Sequence, residues 1–403
     1  MKILLLDTIH GGGVLADKYP KQGDSVTCVD VYNITPEEEL SRLKDKGYSV
    51  CKEVPKGEYD LVLMPVHCPD RFLEGVKYGE RKFFSQAVGE LIDDKRFRIE
   101  VTGVKGKTGF CGLMSHILTV AGHNVLLHSS KGRGSWKNGK LTDAEKVSIA
   151  PPHMLTLPDS EHDIVICEIS LGGSGKADIA CITNLLEDYP IAAGTRKASE
   201  GKKAILSDLN VVPSDEVGFW KSFGRGEVRG YGNRIKLLNN PSLGESLKVH
   251  VDYKNGFDVS MKNNYLALEY VDAFEMAVEV CDIMNVPSEF LKEGLSTFEG
   301  MGGRGEIYRE GKRWVVKERN PGISRRSVER TYETLKRMNS LENAVAVLDP
   351  VNRKVCSKMD VGSIEKVSRE YGVELIITDG SGTPPKIPES EGPLILFVKE
   401  GYT

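Results

Sequence analysis

The stretch Gly103-Val104-Lys105-Gly106-Lys107-Thr108 constrains this chain more than any other. It follows Ile99-Glu100-Val101-Thr102, which reads as a short strand, and precedes Phe110 to Ala121, whose apolar residues recur at helical spacing. Strand, glycine-rich loop and helix in that order form an anion site. Successive loop N–H groups point at phosphate oxygens, and the helix adds its positive end. Lys107 is expected to reach the β and γ phosphates of ATP, and the Thr108 hydroxyl to sit on Mg²⁺. The two glycines are separated by two residues instead of the four of the longer phosphate loop, so the pattern is G-x-x-G-K-[ST].

Magnesium also takes one or two carboxylates. Glu168 ends Asp163-Ile-Val-Ile-Cys-Glu168, an apolar run that reads as a buried strand whose C-terminal end opens on the same crevice as the loop. A glutamate facing solvent at a strand end is the alternative. Asn184, just after the strand-like Ile179 to Thr183, is placed to hydrogen-bond nucleotide or metal-bound water, or is simply a turn residue.

At 403 residues the chain exceeds what one core usually holds, so two or three domains are expected. Residues 1–95 alternate strand-like runs (Lys2–Leu6, Ser25–Asp30, Leu61–Val66) with the charged helical segment Pro36–Lys46, as a βαβ arrangement does. The N-terminal run meets an acid and glycines with no cleavage site behind it, and reads as a first strand. Gly11-Gly12-Gly13 followed by Asp30 outlines a dinucleotide fold but lacks the G-x-G-x-x-G spacing. A Rossmann-like domain adapted to another ligand, or to none, is expected. Residues 96–300 carry the phosphate loop, strands near Asn124–Leu127, Asp163–Ile169 and Ile179–Thr183, and a long helix at Ala267–Met284. Residues 301–403 read as a small α/β domain. Its strands are at Trp314–Val316, Ala344–Leu348, Glu374–Thr378 and Leu394–Val398, its helices at Ser327–Met338 and Gly362–Tyr371, and a loop runs from Gly380 to Pro385.

A net charge of -4 and no basic stripe argue against nucleic acid as a partner. No apolar run approaches the roughly 18 residues of a membrane span. Eight scattered cysteines, with no paired or His-flanked spacing, point to a cytoplasmic location and away from a structural zinc or iron–sulfur site. His10, His67 and His128 stand at apparent strand ends. There a histidine contacts substrate carboxylates, accepts a proton, or serves the core.

Together these residues resemble the Mur ligase superfamily. That resemblance implies a three-domain α/β architecture, with a central P-loop ATPase between two Rossmann-like domains, and activation of a carboxylate as an acyl phosphate. It assigns Gly103, Gly106, Lys107 and Thr108 to the loop, Glu168 to magnesium, Thr183-Asn184 to the next strand end, and Arg304 to nucleotide contact. Lys202, or Lys203, corresponds to the lysine that several members carbamylate. Two departures stand out: Tyr189 replaces a metal-binding histidine after Glu187-Asp188, and Lys317-Glu318-Arg319-Asn320 replaces a C-terminal-domain aspartate.

Within the superfamily, several stretches resemble the coenzyme F-430 synthetases of methanogenic archaea. These are Asp7-Thr8-Ile9-His10-Gly11-Gly12, Val29–Tyr32, Pro65-Val66-His67, Leu127–Gly132, Cys167-Glu168-Ile169-Ser170-Leu171-Gly172-Gly173-Ser174-Gly175 and Asp349-Pro350-Val351. The implied substrate is an anionic nickel tetrapyrrole, with nickel entering only inside the macrocycle. Arg133 and Arg196 then become candidates for its carboxylates beside His10 and His67, and His128 for the proton acceptor. A Mur-like peptide ligase of pseudomurein assembly is the alternative, and a nucleotide-binding scaffold without ligation a third reading.

Overall fold

The structure is a computed structural model, and it describes residues 1–319, 323–350, 359–378 and 385–398. Val351, Cys356 and the loop from Gly380 to Pro384 lie outside the described residues. By compactness the chain divides into two units, one of residues 1–111 and 122–232, the other of residues 112–121 and 233–403. The expected boundary after residue 95 falls inside the first unit, and the one after residue 300 inside the second.

In the first unit, β1 (Lys2–Leu6), β2 (Ser25–Val29), β3 (Ser49–Cys51), β4 (Gly57–Met64) and β5 (Val76–Phe83) form a parallel sheet of order β3-β2-β1-β4-β5. That is the Rossmann strand order without its sixth strand. Asp30 differs from its dinucleotide role: its carboxylate accepts the backbone N–H groups of Ile34 and Thr35 and closes a turn.

A larger sheet follows, built from β6 (Phe97–Thr102), β7 (Val125–Ser129), β8 (Gly132–Lys137), β9 (Lys140–Glu145), β10 (Ile164–Glu168) and β11 (Ile179–Ile182). After a short ladder of β12 (Pro190–Ile191) and β13 (Arg196–Lys197), it is completed by β14 (Leu209–Pro213) and β15 (Glu227–Tyr231). Its order is β15-β14-β11-β6-β10-β7-β8-β9, parallel through β7 and antiparallel over the last hairpin. β6 is central, between β10 and β11, so the loop after it opens at the middle of the sheet's C-terminal edge. The two sheets share one core, in which Ile3, Leu5 and Val26 pack with Leu126, Val165, Cys167 and Ile169.

The second unit holds an antiparallel sheet of β16 (Ile235–Leu237), β17 (Lys248–Val251) and β18 (Phe257–Ser260), with helices Val271–Ile283 and Ser288–Thr297. It ends in the sheet β19-β20-β23-β21-β22, formed by Arg304–Glu310, Arg313–Glu318, Val345–Leu348, Glu374–Ile377 and Leu394–Phe397, where β19 is Arg304–Glu310, β20 Arg313–Glu318, β21 Val345–Leu348, β22 Glu374–Ile377 and β23 Leu394–Phe397. Helices Arg325–Arg337 and Val361–Glu370 bury Val328, Tyr332, Leu335, Ile364 and Val367 against it. Among the described residues no helix is long and apolar enough to cross a membrane.

Candidate active site

The phosphate loop is shaped by what surrounds it. Gly103 and Gly106 have φ of 138° and 84°, and a Cβ on Gly103 would run into the Thr183 side chain. Only glycine fits such a position. The loop is then clamped from β11's end: Thr183 N–H donates to Thr102 O at 2.9 Å, and Val104 N–H to Asn184 O at 3.0 Å. The Asn184 side chain takes the Lys105 N–H at 3.1 Å and donates to the Lys105 carbonyl at 3.2 Å. Asn184 therefore holds the loop itself. The Lys107 ammonium donates to Gly103 O at 3.0 Å, folded over the loop it serves.

Glu168 and Thr108 meet. The threonine hydroxyl lies 3.0 and 2.9 Å from the two carboxylate oxygens, and both residues are buried. Ser130, to which the sequence reading gave no role, adds its backbone N–H to Glu168 at 3.0 Å and its hydroxyl to Thr108 at 3.1 Å. A buried carboxylate beside the hydroxyl that ends the phosphate loop is the donor set that magnesium on a nucleotide uses, so these residues fit the ion.

Lys202 is fully buried, and its ammonium nitrogen donates to Gly103 O at 2.8 Å and Ser170 O at 3.3 Å. Burial, helped by the neighbouring Lys107 charge, drives its pKa well below the ordinary lysine value. Lys203 is exposed. Asp188, beside Tyr189, accepts the backbone and hydroxyl of Ser199, both at 2.8 Å, and so pins the helix that carries Lys202.

The run after Glu168 is packed at both ends. Thr102 donates to Ile169 O at 3.1 Å, Ser174 N–H donates to the buried Glu100 at 2.8 Å, and Gly173 sits where a Cβ would fall 2.6 Å from the Ile205 backbone. Its middle residues, Ser170 and Leu171, line a small recess of about 40 Å³ with His10, Pro65, Val66, His67, Phe84, Ser85, Ala150 and Pro151.

His10 and His67 come together there, ring centroids 4.9 Å apart, and both turn a nitrogen to Asp7. Burial alone would raise the Asp7 pKa, but the hydrogen bonds from His10 and His67 outweigh it and leave the carboxyl below its ordinary value. Sequence reasoning missed Asp7. The signal was the one that found Glu168, an acid closing an apolar strand.

Three expected ligand groups turn inward instead. His128 is 1% exposed, is absent from the recess lining, and burial pushes its pKa down to about 3. Arg133 donates to Thr156 O at 2.7 Å and to Glu145 at 2.8 Å. Arg196 caps Val66 O and Cys68 O at 3.1 and 3.0 Å, bonds Asp70, and lies over the Phe83 ring. In the second unit, Arg304 donates to the Arg319 carbonyl, and Lys317 is buried, its pKa lowered by desolvation and by Arg319.

Among solved structures, the UDP-N-acetylmuramate-alanine ligase MurC from Thermotoga maritima superposes with a TM-score of 0.55 at 16% identity, covering 99% of this chain and 95% of that one. The chain has the Mur ligase fold. Among sequences, it is similar to the coenzyme F(430) synthetase of Methanosarcina acetivorans, at 27% identity over 93% of this chain and 88% of the relative. The coenzyme F(430) synthetase of Methanocaldococcus jannaschii is also 27% identical, over 94% and 91%. No family model matches the chain. The resemblance read from the motifs, to the Mur ligases and within them to the F-430 synthetases, is borne out by these similarities.

Proposed function

We propose that this protein is an ATP-dependent ligase that activates a propionate side chain of seco-F-430 as an acyl phosphate and closes the carbocyclic ring of coenzyme F-430, releasing ADP and phosphate. One observation carries the reading. The run from Glu168 to Leu171 has its first residue on Thr108 of the phosphate loop and its last two in the recess edged by His10 and His67. In this reading nucleotide chemistry and substrate pocket are two residues apart along the chain. The names of the two sequence relatives favour the tetrapyrrole over an amino acid as substrate.

Glu168 and Thr108 would hold Mg²⁺, which neutralises charge spreading over the transferred phosphoryl group. Lys107 would pair with the same phosphates. Lys202, driven toward its neutral form, bridges the Gly103 and Ser170 carbonyls and holds the loop and the Glu168 run in register. The recess, about 40 Å³, would take only the carboxylate tip of one arm of a large substrate, with His10 and His67 beside it. In ring closure the ring carbon loses a proton and forms the C–C bond, while the acyl C–O bond breaks and phosphate leaves. Acid and nucleophile belong to one molecule, so the protein's task is to orient them and exclude water. In this reading residues 1–95 serve the substrate, 96–300 bind the ATP and 301–403 form a small C-terminal α/β domain of a cytoplasmic enzyme.

The test is purified protein with Mg·ATP and seco-F-430, following the chromophore's absorbance and ADP. Coupled absorbance change and ADP formation are expected without any added amino acid. ADP release that instead depends on an amino acid would replace this reading with the peptide-ligase one.

A further inference from the structure

Among the described residues, one set of three ligand-bearing side chains brings its donor atoms within 4.8 Å of one another: Asp7, His10 and His67. We propose that these three residues bind a divalent transition-metal ion of the zinc, cobalt or nickel type, with one coordination position open to the recess. The site does not depend on the identity of the substrate.

The donor set comes first. Two imidazoles and one carboxylate suit zinc and its neighbours, whereas magnesium and calcium take oxygen ligands. Asp7 Oδ2 lies 2.6 Å from His10 Nδ1 and 3.2 Å from His67 Nε2. Metal bonds of about 2.0–2.1 Å in a tetrahedron set donors roughly 3.3 Å apart. His67 already stands at that separation, and the His10 ring has to withdraw by roughly 0.7 Å, within reach of a partly exposed side chain.

The carboxylate is fixed before any ion arrives. Asp7 is fully buried, and its Oδ1 accepts the His10 backbone N–H at 3.2 Å, which leaves Oδ2 directed between the two rings. A ligand held by its other oxygen keeps its orientation and loses less freedom on binding. The backbone at Asp7 has φ 72°, a conformation that disfavours a residue with a Cβ and that recurs where a side chain must be aimed.

Access is on the same side. His10 and His67 keep 29% and 18% of their side-chain surface and line the recess, while the buried Asp7 bonds both rings from behind. Three protein ligands with a fourth position facing a pocket is the arrangement of reactive rather than structural zinc sites. The open position would take water or a carboxylate oxygen. As a plain hydrogen-bonded hub, the same cluster would hold two imidazoles on one carboxylate oxygen and show no affinity for a free ion.

The experiment starts with the full-length protein stripped of metal by a chelator and kept in millimolar magnesium, so that the Thr108–Glu168 site retains its own ion. ZnCl₂ is titrated against a chromophoric chelator, and CoCl₂ is titrated in parallel by visible absorption. One equivalent of zinc, the visible bands of four-coordinate cobalt and a zinc-dependent rise in melting temperature are expected of the natural protein. His10→Ala and His67→Ala should each weaken zinc binding about tenfold or more and abolish the cobalt bands. Both replace partly exposed rings, so their far-UV circular dichroism should stay unchanged even where Asp7→Asn unfolds. Absence of stoichiometric zinc binding in the natural protein, or unchanged affinity in both histidine variants, overturns the proposal.

Discussion

Glu168 is a carboxylate with 2% of its surface exposed, held by the Thr108 hydroxyl and the Ser130 N–H. Glu168→Gln keeps the shape and removes the charge. Turnover with seco-F-430 is expected to fall by about 10²-fold or more while the circular dichroism spectrum is retained, as is expected of Lys107→Ala, because each removes a fixed charge aimed at the phosphates. Unimpaired turnover in either variant would take that residue out of the site. His128 makes a different kind of prediction. Its folded pKa is about 3 against an ordinary 6.5, and desolvation is the main cause. As pH falls below the ordinary value the unfolded chain takes a proton that the native ring refuses, so stability is lost progressively down toward pH 3. The slope is at most about 1.4 kcal/mol per pH unit. His128→Phe removes that proton, so its loss of stability between pH 7 and pH 5 should be smaller than the natural protein's by about 2 kcal/mol, read from urea midpoints. An unchanged difference would show that the ring is not held neutral.

At the scale of elements, the phosphate loop was legible because its signals are local: glycine positions, a lysine and a hydroxyl at fixed offsets, an apolar strand before and a helix after. Buried parallel strands were legible for the same reason, and β6, β10 and β11 lie within a residue or two of where Ile99–Thr102, Asp163–Ile169 and Ile179–Thr183 were read. Polar edge strands were not. Gly132–Lys137 and Lys140–Glu145 carry little apolar alternation, and only the pairing of the first with β7 and of the second with the first makes them strands. The site divides along the same line. Thr108 and Glu168 are 60 residues apart and were found because each ends a recognisable element; Asp7 closes an apolar strand in the same way and was passed over, whereas Ser130 acts through contacts that no spacing encodes. Asn184 was found in place, and its amide meets the Lys105 backbone, a partner that a single asparagine in a sequence does not reveal. Its clamp on Lys105 and the tight seat of Gly103 make one test. Gly103→Ala puts a Cβ against the Thr183 side chain in a left-handed conformation, so it should abolish ATP binding measured by calorimetry. Asn184→Ala leaves the loop unclamped and should weaken binding only about tenfold. Equal affinity for the alanine-103 variant and the natural protein would mean that the loop does not form the nucleotide site.

At the scale of the whole molecule, the division into units does not follow chain order, because the helix Lys107–Val120 begins in the phosphate loop while its Gly112–Ala121 stretch belongs with the second unit. The contacts there are close. A Cβ on Gly294 would fall 2.7 Å from Ile117 Cγ1, His116 Nε2 lies 2.8 Å from the Thr297 hydroxyl, and the His116 ring is 5.8 Å from that of the fully buried Phe298. A sequence reading assigns domains as unbroken segments and cannot see that ten residues from one segment complete the core of another. The consequence is a prediction about fragments. Residues 233–403 expressed alone contain all the strands and remaining helices of the second unit but lack Gly112–Ala121, leaving Phe298 and the Gly294 face uncovered. Exposed apolar surface of that kind binds dye and weakens cooperative packing. The fragment should therefore bind a hydrophobic fluorophore and melt broadly, and restoring residues 112–121 by a covalent linker should quench the dye and sharpen the transition. A fragment that melts sharply without that helix would show that the second unit's core is complete in its own segment.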